Sequence, residues 1–120
     1  MKDREKEYLL GFLDDVLEQI NYIEIKMKKI SKEKFYNEEL ISSSVIRNFE
    51  IIGEALKNIP HQLIASDDFE DLQKAKKMRD VLIHDYRKIN TRLVYETYQN
   101  DIPNLKNKVL ELKTRLSKSL

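Results

Sequence analysis

Apolar side chains recur at intervals of three and four residues along most of this 120-residue chain. This spacing follows the α-helical turn of about 3.6 residues, so the apolar side chains share one face, as on a helix that covers a core. We therefore predict a helix over residues 3–29, with Asp3 as its N-cap. Its apolar stripe consists of Tyr8, Leu9, Phe12, Leu13, Val16, Leu17, Ile20, Ile23 and Met27.

Capping and helix-breaking residues divide the rest of the chain into further helical segments. Asp67 and Glu70 stand in capping-box register, Pro60 is expected to end a helix, and residues 100–103 are expected to break or kink one. We predict helices over residues 40–58, 67–84, 91–100 and 104–117, a cap within residues 37–40, a connection at 31–37 with room for one helical turn, and a loop at 61–66.

The composition supports an all-α class. Two glycines and two prolines leave little material for turns or hairpins. We predict a single domain over residues 1–120, an up-and-down bundle of four to five helices. The absence of cysteine excludes disulfides, thiolate zinc sites and cysteine nucleophiles. No apolar run reaches the ~20 residues of a membrane span, and no signal-peptide core follows the charged N-terminus, so we expect a cytoplasmic protein without a membrane segment.

Charge is balanced overall but uneven locally. The chain has 22 basic and 21 acidic residues, so no global field draws in nucleic acid. Residues 73–92, however, contain seven basic residues and two acidic ones, an excess of five positive charges. Lysine runs are commonly solvated surface, but this one would also attract phosphate groups.

The ten residues 78–87 gather more chemically active side chains than any other stretch. On a helix, Asp80 and His84 are four apart on one face, where the carboxylate can orient the imidazole. Arg79 and His84, five apart, are separated by ~140°. Two arrangements would still bring them to one target: the helix ends near His84 and the chain folds back, or a second copy of the chain completes the site.

Each of these residues also has a purely structural interpretation. His84 would suit a helix C-terminus as a capping residue, and Arg79 would suit an ion pair. His61 has no neighbour at ligand spacing and is predicted to be a surface residue.

The second predicted helix carries a polar line and an interior glycine. The line, Arg47, Glu50 and Glu54, has the spacing of an intrahelical ion-pair ladder. Gly53 costs about 1 kcal/mol relative to alanine inside a helix, which makes sense if another backbone or side chain comes close there.

Two separated motifs resemble one family. Residues 79–86, RDVLIHDY, resemble the R-x-x-x-x-H-x-Y signature of HEPN-domain toxins of the HepT type. Residues 45–55, VIRNFEIIGEA, resemble the second-helix pattern of that family, and residues 101–105 match its helix break. The resemblance implies a homodimeric helical bundle and a metal-independent RNA endonuclease without cofactors. It also implies a toxin of a type VII toxin–antitoxin system, whose MntA-type nucleotidyltransferase antitoxin AMPylates a tyrosine.

The motif also implies roles for individual residues. By match to it, the catalytic pair is Arg79 and His84, the polar position after the arginine is Asp80, the second-helix supports are Asn48 and Glu54, and the modified tyrosine is Tyr86. Histidine can accept the proton of an RNA 2′-hydroxyl, and arginine can stabilise charge on the phosphate. The substrate would be RNA, with tRNA and mRNA both open.

Two other functions compete with this interpretation. The bundle would act as a non-catalytic module if Arg79 and His84 only ordered an interface for a nucleotidyltransferase or a nucleotide. Metal-dependent chemistry is disfavoured, because two distant histidines and no cysteines leave only carboxylate sites.

Overall fold

The computed structural model describes residues 2–84 and 91–118, and the side chains of residues 83 and 84 lie outside that description. Within these ranges the chain forms helices and no strand. The helices are α1 (Asp3–Lys28), α2 (Lys32–Asn37), α3 (Glu39–Leu56), α4 (His61–Ile64), α5 (Glu70–His84) and α6 (Thr91–Lys118), with a 3₁₀ turn at Asp67–Phe69 before α5. The predicted all-α bundle is confirmed.

Four long helices enclose the core. α3 packs against α1 and α5, and α6 packs against the same two helices. Along α1, the side chains of Leu13, Val16, Ile20 and Ile23 follow the predicted spacing and have no exposed surface. Complete burial of such a side chain contributes about 1.5–3 kcal/mol. The stripe therefore holds α1 firmly on α3, the helix that supports the candidate site.

Residues 31–37, predicted as a connection, contain the complete short helix α2. Ser31 caps it, since its Oγ accepts a hydrogen bond of 3.1 Å from the Lys34 backbone N–H. Phe35 has no exposed surface and holds the helix on the bundle. The cap before α3, predicted within residues 37–40, is at Glu38 and has no side-chain hydrogen bond.

The stretch before α5 differs from its prediction in two places. The predicted loop at 61–66 contains the single-turn helix α4, in which Ile64 is completely buried. The predicted capping box of Asp67 and Glu70 is wrong, because residues 67–69 form a 3₁₀ turn capped at Ser66 without a side-chain bond. Packing is the physical reason: Phe69 is buried, with the Arg115 guanidinium 5.0 Å from the centre of its ring.

The last two predicted helices are one. α6 runs for 28 residues with Pro103 inside it, so the first of the two alternatives predicted for residues 100–103, a break, is wrong, and the second, a kink, stays a prediction. Proline removes the hydrogen bond to the carbonyl four residues earlier, which belongs to Gln99. Both residues are exposed, so water can satisfy that carbonyl, while buried Ile102 and Leu105 keep the helix on the core. Neither α6 nor any other helix in the described ranges is apolar enough over sufficient length to cross a bilayer.

Candidate functional site

Arg79 of α5 lies directly against Gly53 of α3. A Cβ atom built on Gly53 would be 2.2 Å from the Arg79 Cβ and 2.9 Å from its Cγ. Non-bonded carbon atoms do not approach so closely, so position 53 accepts only glycine while Arg79 keeps this place. The expectation that another group comes close to Gly53 is confirmed, and that group is the side chain of the predicted catalytic arginine.

The Arg79 guanidinium is only partly engaged. Its Nη1 donates a hydrogen bond of 3.2 Å to Asp80 Oδ1, and the two side chains are 23% and 58% exposed. Its Nε is buried and has no hydrogen-bond partner among the residues that the structure describes. A buried N–H without an acceptor costs about 1–3 kcal/mol. The side chain as a whole is 23% exposed, so a phosphate oxygen could form a charge-assisted hydrogen bond with the exposed part of the guanidinium, and with Nε once the side chain turns outward.

Three lysines precede Arg79 on the same helix. Lys74 and Lys77 are exposed, and Lys76 is partly buried. None of the three forms an ion pair with a residue inside ranges 2–84 and 91–118. The charge of these three lysines is therefore available to a polyanion.

The other half of the motif is described only in part. His84 is the last residue of α5, and its side chain lies outside the described residues. The same holds for Asp85 and Tyr86, which are in residues 85–90. The predicted Asp80–His84 hydrogen bond and the position of the modified tyrosine thus fall outside the description. His61, the other histidine, is exposed on α4, as predicted.

Asn48, predicted to support the site, bridges α1 and α3. Its buried Nδ2 donates a hydrogen bond of 2.7 Å to Gln19 Oε1, and its Oδ1 accepts one of 2.8 Å from Lys26 Nζ. Partial burial lowers the pKa of Lys26, because desolvation disfavours the ammonium form. Both contacts join Asn48 to α1. α3 packs against α1 and also against α5, the helix that carries Arg79.

Glu54, the second predicted support, belongs to the ion-pair ladder on α3. Arg47 Nη1 lies 3.2 Å from Glu50 Oε2 and 3.6 Å from Glu54 Oε1. The ladder predicted from the spacing is thus confirmed. Glu54 follows Gly53 directly, so its backbone adjoins the Arg79 contact. Within the described ranges, no three histidine or acidic side chains converge to hold a metal ion.

An apolar groove runs between α5 and α6. Its volume is about 280 Å³, and its floor includes Phe49, Met78 and Leu105. Val81, two residues after Arg79, lines the groove and is 53% exposed. The charged residues that line it are Asp71, Lys74, Lys77 and Asp101.

The structure contains an aromatic cluster that was not predicted from the sequence. Phe35 and Tyr36 of α2 meet Tyr95 of α6, and Tyr98 extends the group along α6. The i, i+3 spacing of Tyr95 and Tyr98 indicated a shared face. Its partner helix could not be predicted, because residues 31–37 were expected to form a connection.

Comparison with known proteins identifies the family. The family model described as "Ribonuclease HepT-like" matches residues 16–112, a span that includes Gly53, Arg79 and His84. This chain belongs to the HepT-like ribonuclease family. Membership confirms the family that the two sequence motifs indicated, including its ribonuclease class.

Relatives of the HepT-like chain carry ribonuclease names. It is 37% identical to a protein of Thermococcus cleftensis named as a ribonuclease HepT, over 94% of this chain and 99% of that one. It is 33% identical to a protein of Caldanaerobacter subterraneus subsp. tengcongensis named as an RNase, over 84% and 90% of the two chains.

A further relative is a longer protein. A protein of Methanocaldococcus jannaschii named as a γ-glutamylcyclotransferase and RNase is 33% identical to the HepT-like chain over 90% of its length. The match spans about half of that relative, 49% of its length. No solved structure matches the chain significantly.

Proposed function

We propose that this HepT-like protein is a metal-independent RNA endonuclease whose catalytic pair is Arg79 and His84. The RNA 2′-oxygen attacks the adjacent phosphorus and gives its proton to the His84 imidazole. The bond from phosphorus to the 5′-oxygen breaks, and that oxygen takes a proton from solvent water as it leaves, while the His84 imidazolium later returns its proton to the solvent. The products are a 2′,3′-cyclic phosphate end and a 5′-hydroxyl end. Arg79 stabilises the charge that develops on the phosphate.

The observation that carries the proposal is the state of the Arg79 guanidinium. Its Cβ is held against Gly53, and its Nε lacks an acceptor within the described residues. A phosphate oxygen would bind the exposed part of the guanidinium, and a small rotation of the side chain would also bring the buried Nε to it. The neighbouring lysines of α5 add positive charge for RNA.

The supporting residues act through the placement of α3 and α5. Asp80 holds one nitrogen of Arg79 and limits where the guanidinium points. Asn48 fixes α3 on α1, and Glu54 engages Arg47 next to Gly53. In this proposal Asp80, Asn48 and Glu54 are positioning residues.

A homodimer would bring two copies of the site together, and the groove between α5 and α6 suits such a contact. A two-fold interface places the same patch of each copy against the other. The groove has an apolar floor that a second copy would cover. Val81 would be covered in that contact, next to the segment that carries Arg79 and His84.

We further propose that the protein is the cytoplasmic toxin of a type VII toxin–antitoxin pair. Its antitoxin would be an MntA-type nucleotidyltransferase that AMPylates Tyr86, two residues after His84 in the sequence. The added phosphate carries negative charge, so it would repel RNA from the site as well as fill space there.

The nuclease proposal is tested on total RNA and purified tRNA in the presence of EDTA. We expect His84→Ala and Arg79→Ala to lower the cleavage rate by about 100-fold or more, since a general base or a charge-stabilising donor typically contributes that much. His61→Ala is the matched control and should cleave like wild type. Equal cleavage by His84→Ala and wild type would exclude the proposal.

Co-expression with a neighbouring nucleotidyltransferase tests the toxin proposal. The intact mass should rise by AMP units in wild type and remain unchanged in Tyr86→Phe. Toxicity that persists under co-expression, with no increase in mass, would contradict AMPylation. Tight binding to the nucleotidyltransferase without any RNA product or growth phenotype would instead support the non-catalytic module.

A further inference from the structure

Three tyrosines form a partly exposed aromatic surface where α2 lies on the beginning of α6. We call Tyr36, Tyr95 and Tyr98 the tyrosine face. The ring centres of Tyr36 and Tyr95 are 6.0 Å apart, and those of Tyr95 and Tyr98 are also 6.0 Å apart. All three side chains are half-buried, whereas Phe35 beneath them is completely buried. Phe35 is therefore the structural anchor, and the tyrosines keep ring surface in contact with solvent.

Positive groups surround these rings. Lys32 Nζ lies 5.9 Å from the centre of the Tyr95 ring, and Arg92 Cζ lies 5.9 Å from the centre of the Tyr36 ring. Lys28 lines a second groove, of about 160 Å³, together with Tyr98. Cations beside aromatic faces are the pattern found where proteins hold single-stranded nucleic acid, with stacked bases and neutralised phosphates.

Acidic residues also lie on the helices that carry the tyrosine face. Glu24, which lines the same groove as Lys28, is paired with Lys106 at 3.0 Å. Glu33 on α2 and Glu96 on α6 are exposed. Within ranges 2–84 and 91–118, Lys28 and Lys32 form no ion pair, so their charge is available to phosphates.

The tyrosine face also lies close along the chain to the proposed catalytic pair. α5 extends to His84 and α6 begins at Thr91. His84 and Thr91 are seven residues apart, so their Cα atoms can be at most ~25 Å apart, because a chain extends by at most ~3.6 Å per residue. Tyr95 follows Thr91 by about one helical turn, so an RNA strand of several nucleotides bound at His84 would be long enough to reach it.

We propose that the tyrosine face stacks unpaired bases of single-stranded RNA that flank the cleaved bond, while Lys28, Lys32 and Arg92 contact the phosphates. This inference rests on the proposed nuclease function and assigns its substrate class. Bases in a duplex already stack on one another, so the face selects single strands and loops. Stacking on a ring tolerates any base, so the face contributes affinity with little sequence preference.

The test measures RNA binding in a background that cannot cut. The full chain carrying His84→Ala is titrated with a labelled, unstructured RNA of about 12 nucleotides, within the usual site size for single strands. Tyr36→Leu or Tyr98→Leu should weaken binding by about 5- to 150-fold, the loss expected for one stacked base. Tyr36→Phe and Tyr98→Phe keep the ring and should bind like the parent protein.

Tyr8→Leu is the matched control, because Tyr8 is 64% exposed on α1, outside the face. It should bind like the parent protein. A hairpin with few unpaired bases should bind more weakly than the single strand. The difference in affinity between the two RNAs should be smaller in the leucine variants.

Three results would overturn the proposal. They are unchanged binding in folded leucine variants, an equal loss in the phenylalanine variants, and a change of oligomeric state in the leucine variants that accounts for the loss. Circular dichroism melting shows whether each variant folds. Cleavage by the protein with His84 intact is measured separately, so failure of the nuclease proposal would leave this binding result interpretable.

Discussion

The Cβ of Arg79 would be 2.2 Å from a Cβ placed on Gly53, so these two residues are sterically matched. This contact packs α5 on α3 and fixes the position of the Arg79 side chain relative to α3. Any side chain at position 53 would push α5 away or turn Arg79 aside. The lack of a side chain at position 53 is therefore a requirement of the candidate site.

Replacement of the two glycines by alanine should have opposite effects on stability. Gly53→Ala should lower the free energy of unfolding by about 1–2 kcal/mol, because overpacking outweighs the gain in helix propensity. A methyl group on Gly11 would meet no other part of the described chain within 4 Å, so Gly11→Ala should raise that free energy by about 0.5–1 kcal/mol. Urea denaturation measures both. Equal free energies of unfolding for the two variants would show that α5 can move away from a methyl group at position 53 without loss of stability.

Loss of the Asn48 side chain should weaken the contact between α1 and α3. Asn48→Ala removes the partner of both Lys26 and Gln19 and should lower the free energy of unfolding by about 1–3 kcal/mol. Asn48→Asp keeps an acceptor for Lys26 and should lose less. Asn107→Ala, at an exposed position of α6, should stay within about 0.5 kcal/mol of wild type in the same denaturation experiment. A loss after Asn107→Ala as large as after Asn48→Ala would argue against the bridge.

Stability should depend on pH through Lys26. Its pKa in the folded protein is lowered from the ordinary 10.5 by desolvation, so the native state releases this proton before the unfolded state does. Between the lowered pKa and 10.5, the unfolded state binds more protons, and the free energy of unfolding rises with pH. Relative to Lys26→Met, wild type should therefore gain stability as the pH approaches 10.5. A difference that is constant with pH, or that falls, would contradict this expectation.

The proposed homodimer can be tested at Val81. Val81→Glu would place a carboxylate in the apolar groove and should convert the dimer into a monomer in sedimentation velocity experiments. Leu40 is 88% exposed and does not line the groove, so Leu40→Glu is the control and should remain dimeric. A monomeric wild type, or a dimeric Val81→Glu, would exclude this interface.

Local spacing determined the helices and their buried faces. The stripe of α1 and the ladder of Arg47, Glu50 and Glu54 follow from helical geometry alone, since residues three and four apart meet on one face. The motif around Arg79 and His84 indicated the family for a similar reason, because both residues lie within one short segment of the chain.

Contacts between helices required the tertiary structure. Spacing predicted that something approaches Gly53, but only the packing of α5 on α3 identified Arg79. The burial of Phe35 stabilises α2 where a connection was predicted. Buried side chains on both sides of Pro103 keep α6 continuous. In each case, burial against a part of the chain that is distant in sequence outweighed a local conformational preference of about 1–3 kcal/mol. Local spacing cannot reveal such burial.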